Sequence, residues 1–236
     1  YRFVPDALRA LARPGDGARL ASDGSNLPSV VERVARESPD AWRDVVETVA
    51  TITDGLVAIE REALGPYETL CARRVVAGAR HPWKFYASEL SDGTLHALAT
   101  LAAVHQDPRR RHGLSLAALS EPTAALHPAA VAALAGALQR AARHTQILAT
   151  SHSPELIDAL ESASGAGVSQ LAGLLLARID DGVTTLADAA PPPGLPGAEL
   201  GPPAGTLLRE DRLRPRRRAR RPIDQLDLFA PGDGVD

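Results

Sequence analysis

Methionine is absent from this chain of 236 residues, and lysine occurs once, as Lys84. With a start at Tyr1, these absences lead us to expect the C-terminal part of a longer protein. A single cysteine, Cys71, excludes a disulfide framework within the chain and fits a reducing cytoplasm. It is expected as a small buried apolar residue. Aromatic residues make up only 3%, so the core has to be built mostly from Ala, Leu and Val. No run approaches the roughly 18–20 apolar residues of a membrane span; the longest candidates, near 97–104 and 129–138, are Ala-rich and read as helices of a soluble fold. Tyr1 to Leu8 is neither basic nor long and apolar, so it does not read as a signal peptide. The net charge of −3 favours no class of partner, and any case for nucleic acid must rest on a local patch.

Two further absences concern chemistry. No GxxxxGK[ST] loop occurs, and Lys84 lies in "PWKFY" with no glycine cradle before it, so the chain by itself lacks a phosphate-binding loop. No His/Cys cluster has zinc spacing, and no G-x-S-x-G elbow marks a nucleophilic serine. His81, His96, His105 and His112 show no carboxylate or cysteine pattern and are expected at the surface or in loops.

What is present begins with a loop over 13–28, followed by helices over about 27–37 and from Asp40 to about Thr51. Short strands follow at Leu56–Ile59, Glu68–Val76 and Trp83–Tyr86, the first two separated by Gly65-Pro66. At Ser91 the pattern changes. Leu95, Leu98, Leu101, Ala102 and Val104 form an apolar stripe at helical spacing, with Ser91 as its N-cap. Leu114–Leu119 reads as a buried strand, His127-Pro128 opens a helix to about Arg143, Thr145–Thr150 is a second strand, and Ser153-Pro154 opens another helix. Strand, helix, strand, helix in short succession argues for parallel βα units. Leu174–Ile179 and Val183–Leu186 read as a hairpin about Asp180-Asp181-Gly182. From Pro191 the chain is rich in Pro and Gly and then in Arg, and is expected to be loosely ordered.

Three segments carry possible chemistry. "ELSDGT", Glu89 to Thr94, is a tight turn into a helix, whose free N–H groups and dipole attract anions, although such a turn is far more commonly an ordinary cap. "LSEPTAALHP", Leu119 to Pro128, places Glu121 just beyond a buried strand, where a carboxylate can orient water toward a phosphate or simply occupy a turn. "TSHSP", Thr150 to Pro154, puts His152 at the C-terminal end of a strand, where α/β sheets bind ligands and where a histidine can also merely cap a loop.

In this order, the segments resemble the C-terminal lobe of ABC-type ATPase heads, and more closely AAA-family ATPases of the ABC/SMC/RecF-like type. The close resemblance covers about 66–160, with "DGSNL", "VAGARHPWKF" and "GTLLREDRLRP" also similar to family segments. It implies an α/β P-loop NTPase fold of ABC/SMC-like head type, present as a C-terminal lobe with parallel βα units over 1–190, followed by a tail over 191–236. It further implies ATP and Mg2+ as cofactors and a homodimer, or a pair with a like ATPase head. In such a dimer Ser91, Asp92, Gly93 and Thr94 would meet the γ-phosphate of the partner head's ATP. Glu121 would polarise the attacking water and His152 would sense the γ-phosphate. Thr123, Ala124, Ala125, Leu126 and His127 would form the loop that couples the two sites.

Two departures from the family pattern stand out. The phosphate-binding loop is missing, and Ser120 stands where the family carries an acidic residue that helps hold Mg2+ and its water. Thr123 likewise replaces a residue that is often acidic. Weak hydrolysis is therefore the expectation, with a degenerate regulatory or structural subunit as the alternative. Eight arginines between Arg209 and Arg221 could meet nucleic-acid phosphates or form a solvated tail; no base-stacking aromatics interleave with them.

Overall fold

A computed structural model of the chain describes residues 1–106, 114–164, 173–180, 182–190 and 202–215. A short helix, α1 (Pro5–Arg9), precedes the loop over 13–26. Helices α2 (Leu27–Glu37) and α3 (Pro39–Ile52) then lead into an antiparallel sheet of β1 (Leu56–Leu64), β2 (Tyr67–Arg74) and β3 (Trp83–Tyr86). The β1–β2 turn is Gly65-Pro66, with Gly65 at φ 61°, so the hairpin forms where those two residues separate the β-rich runs. The strand β1 runs five residues beyond the expected end at Ile59. Its polar second half, Glu60 to Glu62, pairs with Cys71, Leu70 and Thr69 of β2.

Helix α4 (Asp92–Val104) is the centre of the fold. Every residue from Gly93 to Val104 is buried, so the helix is enclosed on all sides, beyond the single stripe that its leucine spacing suggested. Small alanines at 97, 99, 102 and 103 let neighbouring elements approach closely. Leu27, Val30, Val31 and Val34 of α2 and Val45 and Val49 of α3 join the same core. The other layer is a parallel pair, β4 (Leu116–Ser120) and β5 (Gln146–Thr150), with α5 (Pro128–Ala141) connecting them and α6 (Pro154–Ser164) following. Ala117 and Leu119 face the core, while Leu116 and Leu148 are exposed on the opposite face. Tyr1 bonds through its backbone to Ala118 and Ser120 on the other edge of β4.

The third unit is a sheet of β6 (Leu175–Asp180), β7 (Val183–Ala190) and the two-residue β8 (Arg214–Pro215), with helix α7 (Ala204–Arg209) between the last two strands. Residues 202–215 lie within the segment expected to be loosely ordered. There Ala204, Leu207 and Leu213 are buried with Ile157 of α6. Composition pointed the other way because four apolar residues, spread over a Pro- and Gly-rich stretch, leave no periodic signal. Cys71 is fully buried, as expected. Burial and the neighbouring Glu62 push its thiol up. Among the described residues no helix is long and apolar enough to cross a membrane.

A buried polar network ties the long first loop to this frame. Glu68 is inaccessible to solvent; it accepts from the Ser29 hydroxyl and from Arg61 Nε at 2.5 Å. Arg61 in turn pairs with Glu32 at 2.8 Å, and Ser29 Oγ accepts from the Gly15 N–H at 3.0 Å. Arg33 donates to the Gly17 carbonyl, and Gln106, at the far end of α4, accepts from Leu20 N–H at 3.2 Å. Glu68→Ala removes the buried acceptor of the Ser29 hydroxyl and of Arg61, while Arg61 keeps Glu32 and part of its contact with solvent. The change should therefore lower unfolding free energy by about 1–3 kcal/mol, read as an earlier urea midpoint with an unchanged slope.

Candidate active site

The two parallel strands end side by side. Ser120 pairs with Thr150, and the Glu121 N–H continues the ladder by donating to the Thr150 carbonyl at 2.8 Å. Immediately afterwards the chain turns: Glu121 sits at φ 50°, a left-handed conformation costing a non-glycine residue roughly 1–2 kcal/mol. Pro122 and the turn that follows carry the backbone away, while the Glu121 carboxylate remains at the strand ends. His152, two residues beyond β5, meets it there. The His152 Nδ1 lies 2.9 Å from Glu121 Oε2, and the His152 N–H donates to the same oxygen at 3.3 Å. The hydrogen bond to Glu121, reinforced by its charge, raises the histidine pKa above its ordinary value. The imidazole is otherwise 91% exposed, so its far nitrogen is open to solvent.

Ser91 caps α4, as its position before the apolar stripe suggested. Its Oγ accepts from the Thr94 N–H at 3.2 Å and shares a hydrogen bond with Thr94 Oγ1 at 2.8 Å. Ser91 and Asp92 are exposed, whereas Gly93 and Thr94 are buried. The Thr94 hydroxyl is also bonded to Thr53 Oγ1 at 2.7 Å, which ties the helix start to the end of α3. Asp92 is ion-paired with Arg9 of α1, and Arg9 also donates to the Leu90 carbonyl at 2.9 Å. The pairing offsets the negative charge that Asp92 would otherwise hold at this helix N-terminus. Neither Arg9 nor Thr53 stood out in the sequence: α1 has five residues, and Thr53 closes α3 without any motif around it.

The turn into α4 and the loop over 123–127 touch. A Cβ on Gly93 would lie 2.6 Å from the Ala125 carbonyl oxygen and 3.4 Å from Leu126 Cδ2, so only glycine permits this approach. Ala125 itself is left-handed, at φ 63°. Ala124, Ala125 and His127 are exposed, Leu126 is half-buried, and Thr123 is turned inward. His127 caps α5, its Nδ1 accepting from the Ala129 N–H at 3.3 Å.

His96 and His105 correct the expectation of surface or loop histidines. His96 is buried within α4, edge-on to Phe3 at 5.6 Å. Burial lowers its pKa, against a hydrogen bond with the Pro122 backbone, so it is neutral at pH 7. It therefore braces the residue that follows Glu121. A buried histidine on an apolar helix can be found in sequence only by noticing that position 96 lies inside the run from Leu95 to Val104. His105 at the end of α4 is also mostly buried, which lowers its pKa, with its Nδ1 at 2.9 Å from the Leu101 carbonyl. His81 is exposed, and His112 lies outside the described residues.

A family model described as "AAA domain, putative AbiEii toxin, Type IV TA system" matches residues 2–158. The chain belongs to this AAA-domain family of P-loop ATPases. Among solved structures, the AAA-domain chain is similar to an SMC ATPase from work on ATP-driven dimerization and DNA-stimulated activation, at 13% identity and a TM-score of 0.46, covering 65% of this chain and 85% of that one. It is also similar to the Smc head domain of Pyrococcus yayanosii with a coiled coil and joint, at 14% identity and a TM-score of 0.46 over 65% of this chain and 27% of that one. A third likeness is to the Smc head of Pyrococcus furiosus bound to the C-terminal domain of ScpA, at 17% identity and a TM-score of 0.44 over 64% and 35%. Likenesses this distant carry no argument about activity. No curated protein matches the chain.

ATPases of this family bind ATP with Mg2+, and the donors on this chain do not by themselves make a Mg2+ site. Ser120 offers a hydroxyl without charge, and one oxygen of Glu121 is engaged by His152. Among the described residues no group of three or more His, Cys, Asp or Glu could hold a metal. Mg2+ in nucleotide sites is held by one or two carboxylates together with phosphate oxygens and water.

Of the arginine run, Arg209 pairs with Glu155 at 3.0 Å and Asp158 at 3.4 Å, Arg212 with Glu210 at 2.9 Å, and Arg214 donates to the Asp211 carbonyl at 2.8 Å. These three are engaged within the chain; Arg216 to Arg221 lie outside the described residues.

The geometry predicts the titration of His152. In wild type, its imidazole should titrate above the ordinary value of about 6.5, so it carries more positive charge at pH 7 than a free histidine and loses its pairing as pH rises through that raised value. In Glu121→Gln the midpoint should fall back toward the ordinary value. Histidine NMR across pH 5–9 reads both; an unchanged midpoint in the variant would show the pair is not formed.

Proposed function

We propose that this chain is the C-terminal part of an ATP-hydrolysing head that acts as a dimer, residues 1–190 belonging to the head. The observation that carries the proposal is the contact of Glu121 with His152 at the C-terminal ends of β4 and β5, the end of a parallel sheet where ligands bind. In this reading Glu121 accepts a hydrogen bond from the attacking water and draws off its proton as the new bond from water oxygen to the γ-phosphorus forms and the bond from that phosphorus to the bridging oxygen breaks, with ADP as the leaving group. His152, held through Nδ1, directs its other nitrogen at the γ-phosphate; protonated, that nitrogen donates to a phosphate oxygen. Ser91 and the start of α4 serve the partner head's nucleotide, and the loop over 123–127, packed on Gly93, links the two sites. Mg2+ bound with the nucleotide would supply charge neutralisation there, and of this chain's residues Ser120 would offer it a hydroxyl alone.

Ser120 sets the rate in this proposal. A serine in place of the metal-holding carboxylate supplies no charge, so turnover is slow, and Ser120→Asp accelerates it. The Arg216–Arg221 stretch is a candidate for contact with nucleic acid, with the steep salt dependence that phosphate contacts bring.

Two outcomes test the reading. Titration calorimetry of this chain with ATP–Mg2+ should show no binding tighter than about millimolar, because most phosphate contacts come from the loop it lacks. In the intact protein, Glu121→Gln should lower ATP turnover by about 10²–10⁴-fold while ATP binding persists. Turnover equal to wild type in that variant would remove Glu121 from the chemistry.

A further inference from the structure

The helix that follows His152 carries three acidic residues on one face, Glu155, Asp158 and Glu161, spaced three apart so that they line up along α6. All three are engaged by α7. The Ala204 N–H donates to Glu161 Oε2 at 2.8 Å, and the Gly205 N–H donates to Asp158 Oδ1 at 2.7 Å. One turn further on, Arg209 reaches Glu155 and Asp158. The carboxylates thus satisfy N–H groups at the start of α7, which have no partner within that helix. Gly205 makes the fit possible: a Cβ there would lie 2.2 Å from the Pro154 carbonyl oxygen and 2.4 Å from Asp158 Oδ1. The α7 backbone therefore rests directly on the first turn of α6, at the residue two positions after His152. Ala204 and Leu207, fully buried with Ile157, seal the contact.

We propose that α7 is a clamp that positions His152, with Gly205 and Arg209 as positioning residues acting through the first turn of α6. The His152 ring is almost fully exposed, and among the described residues its polar contacts are with Glu121. Its place at the strand ends is set by where Pro154 and the first turn begin. Ser153 caps that turn, its Oγ accepting from the Leu156 N–H at 3.1 Å and donating to Glu155 at 3.0 Å. Glu155 thereby joins the cap of α6 to Arg209 of the clamp. A ligand or partner that lifts α7 would free α6 and let His152 leave Glu121, so the C-terminal segment sets whether the pair is formed. This inference rests on the reading of Glu121 and His152 as the hydrolytic pair.

The experiment follows the NMR titration of His152 in the full chain, with no nucleotide present. Gly205→Val and Arg209→Ala are compared with wild type, and Glu121→Gln supplies the midpoint of an unpaired His152. Circular dichroism and the unmoved titrations of His96 and His105 show that each variant is folded, and hydrogen exchange reports release of α7. Arg209→Ala is the milder change and serves should Gly205→Val fail to fold. The clamp predicts that the His152 midpoint falls toward the Glu121→Gln value in both variants, and that Arg209→Lys restores part of the shift. A midpoint unchanged from wild type, in a variant whose α7 exchanges freely, would overturn the clamp while leaving the pair intact. A Glu121→Gln midpoint equal to wild type would instead overturn the pair, and with it the clamp.

Discussion

The complete burial of α4 is the constraint on which the rest of this structure depends. A helix with no solvent-facing side must be enclosed, and α2, α3, α5 and the β4–β5 pair are arranged to enclose it. Its ends then have fixed places. At the N-terminal end, Arg9, Thr53 and the Ala125 carbonyl close around Ser91 to Thr94. At the C-terminal end, Gln106 hydrogen-bonds to Leu20 and to Tyr1, tying the helix to the first loop and the chain's first residue. Inside, His96 touches the backbone at Pro122, one residue from the carboxylate of the candidate site. One helix thus sets the relative positions of three segments that are far apart in sequence.

The candidate site is made by backbone geometry more than by side-chain packing. Parallel pairing of β4 and β5 aligns Ser120 with Thr150, the left-handed turn at Glu121 leaves its carboxylate at the strand ends, and His152 comes into reach two residues later. A carboxylate and an imidazole are adjacent without either being deeply buried, and the partner of each is the other. Such a pair is strongly dependent on where its two supporting turns sit. The Gly93–Ala125 contact on one side and the α6–α7 contact on the other govern those turns, and in both cases a glycine admits backbone where a side chain would collide.

Much of this was legible in the residues. The strand-to-helix order, the capping role of Ser91 and the placing of Glu121 and His152 at strand ends follow from apolar runs broken by Ser, Pro and Glu. The expected strand stopped at Ile59 because Glu60, Arg61 and Glu62 interrupt the β-rich apolar pattern there. Their backbone is nonetheless paired with β2, and the cost of charge in a strand is offset by Arg61–Glu68 and Lys84–Glu62 ion pairs. The last helix among the described residues went unseen for a different reason. Six residues carry too little periodicity to announce α7, and what stabilises it is an acidic face some fifty residues earlier. Arg209 could be counted with its basic neighbours, yet only the fold shows it paired with Glu155 and Asp158 of α6. His96 was expected at the surface or in a loop, and only the enclosure of α4 makes it a buried brace.

The central claim is that Glu121 and His152 form one half of a site completed by Ser91 to Thr94 of a second head. The most direct measurement mixes two inactive variants of the intact protein, Glu121→Gln and Ser91→Arg, and reads ATP turnover. If the halves come from different heads, each mixed dimer contains one site with Glu121 from one chain and Ser91 from the other, and the mixture hydrolyses ATP although neither variant does so alone. If both halves act within one head, mixing restores nothing, and the account of a shared site is wrong.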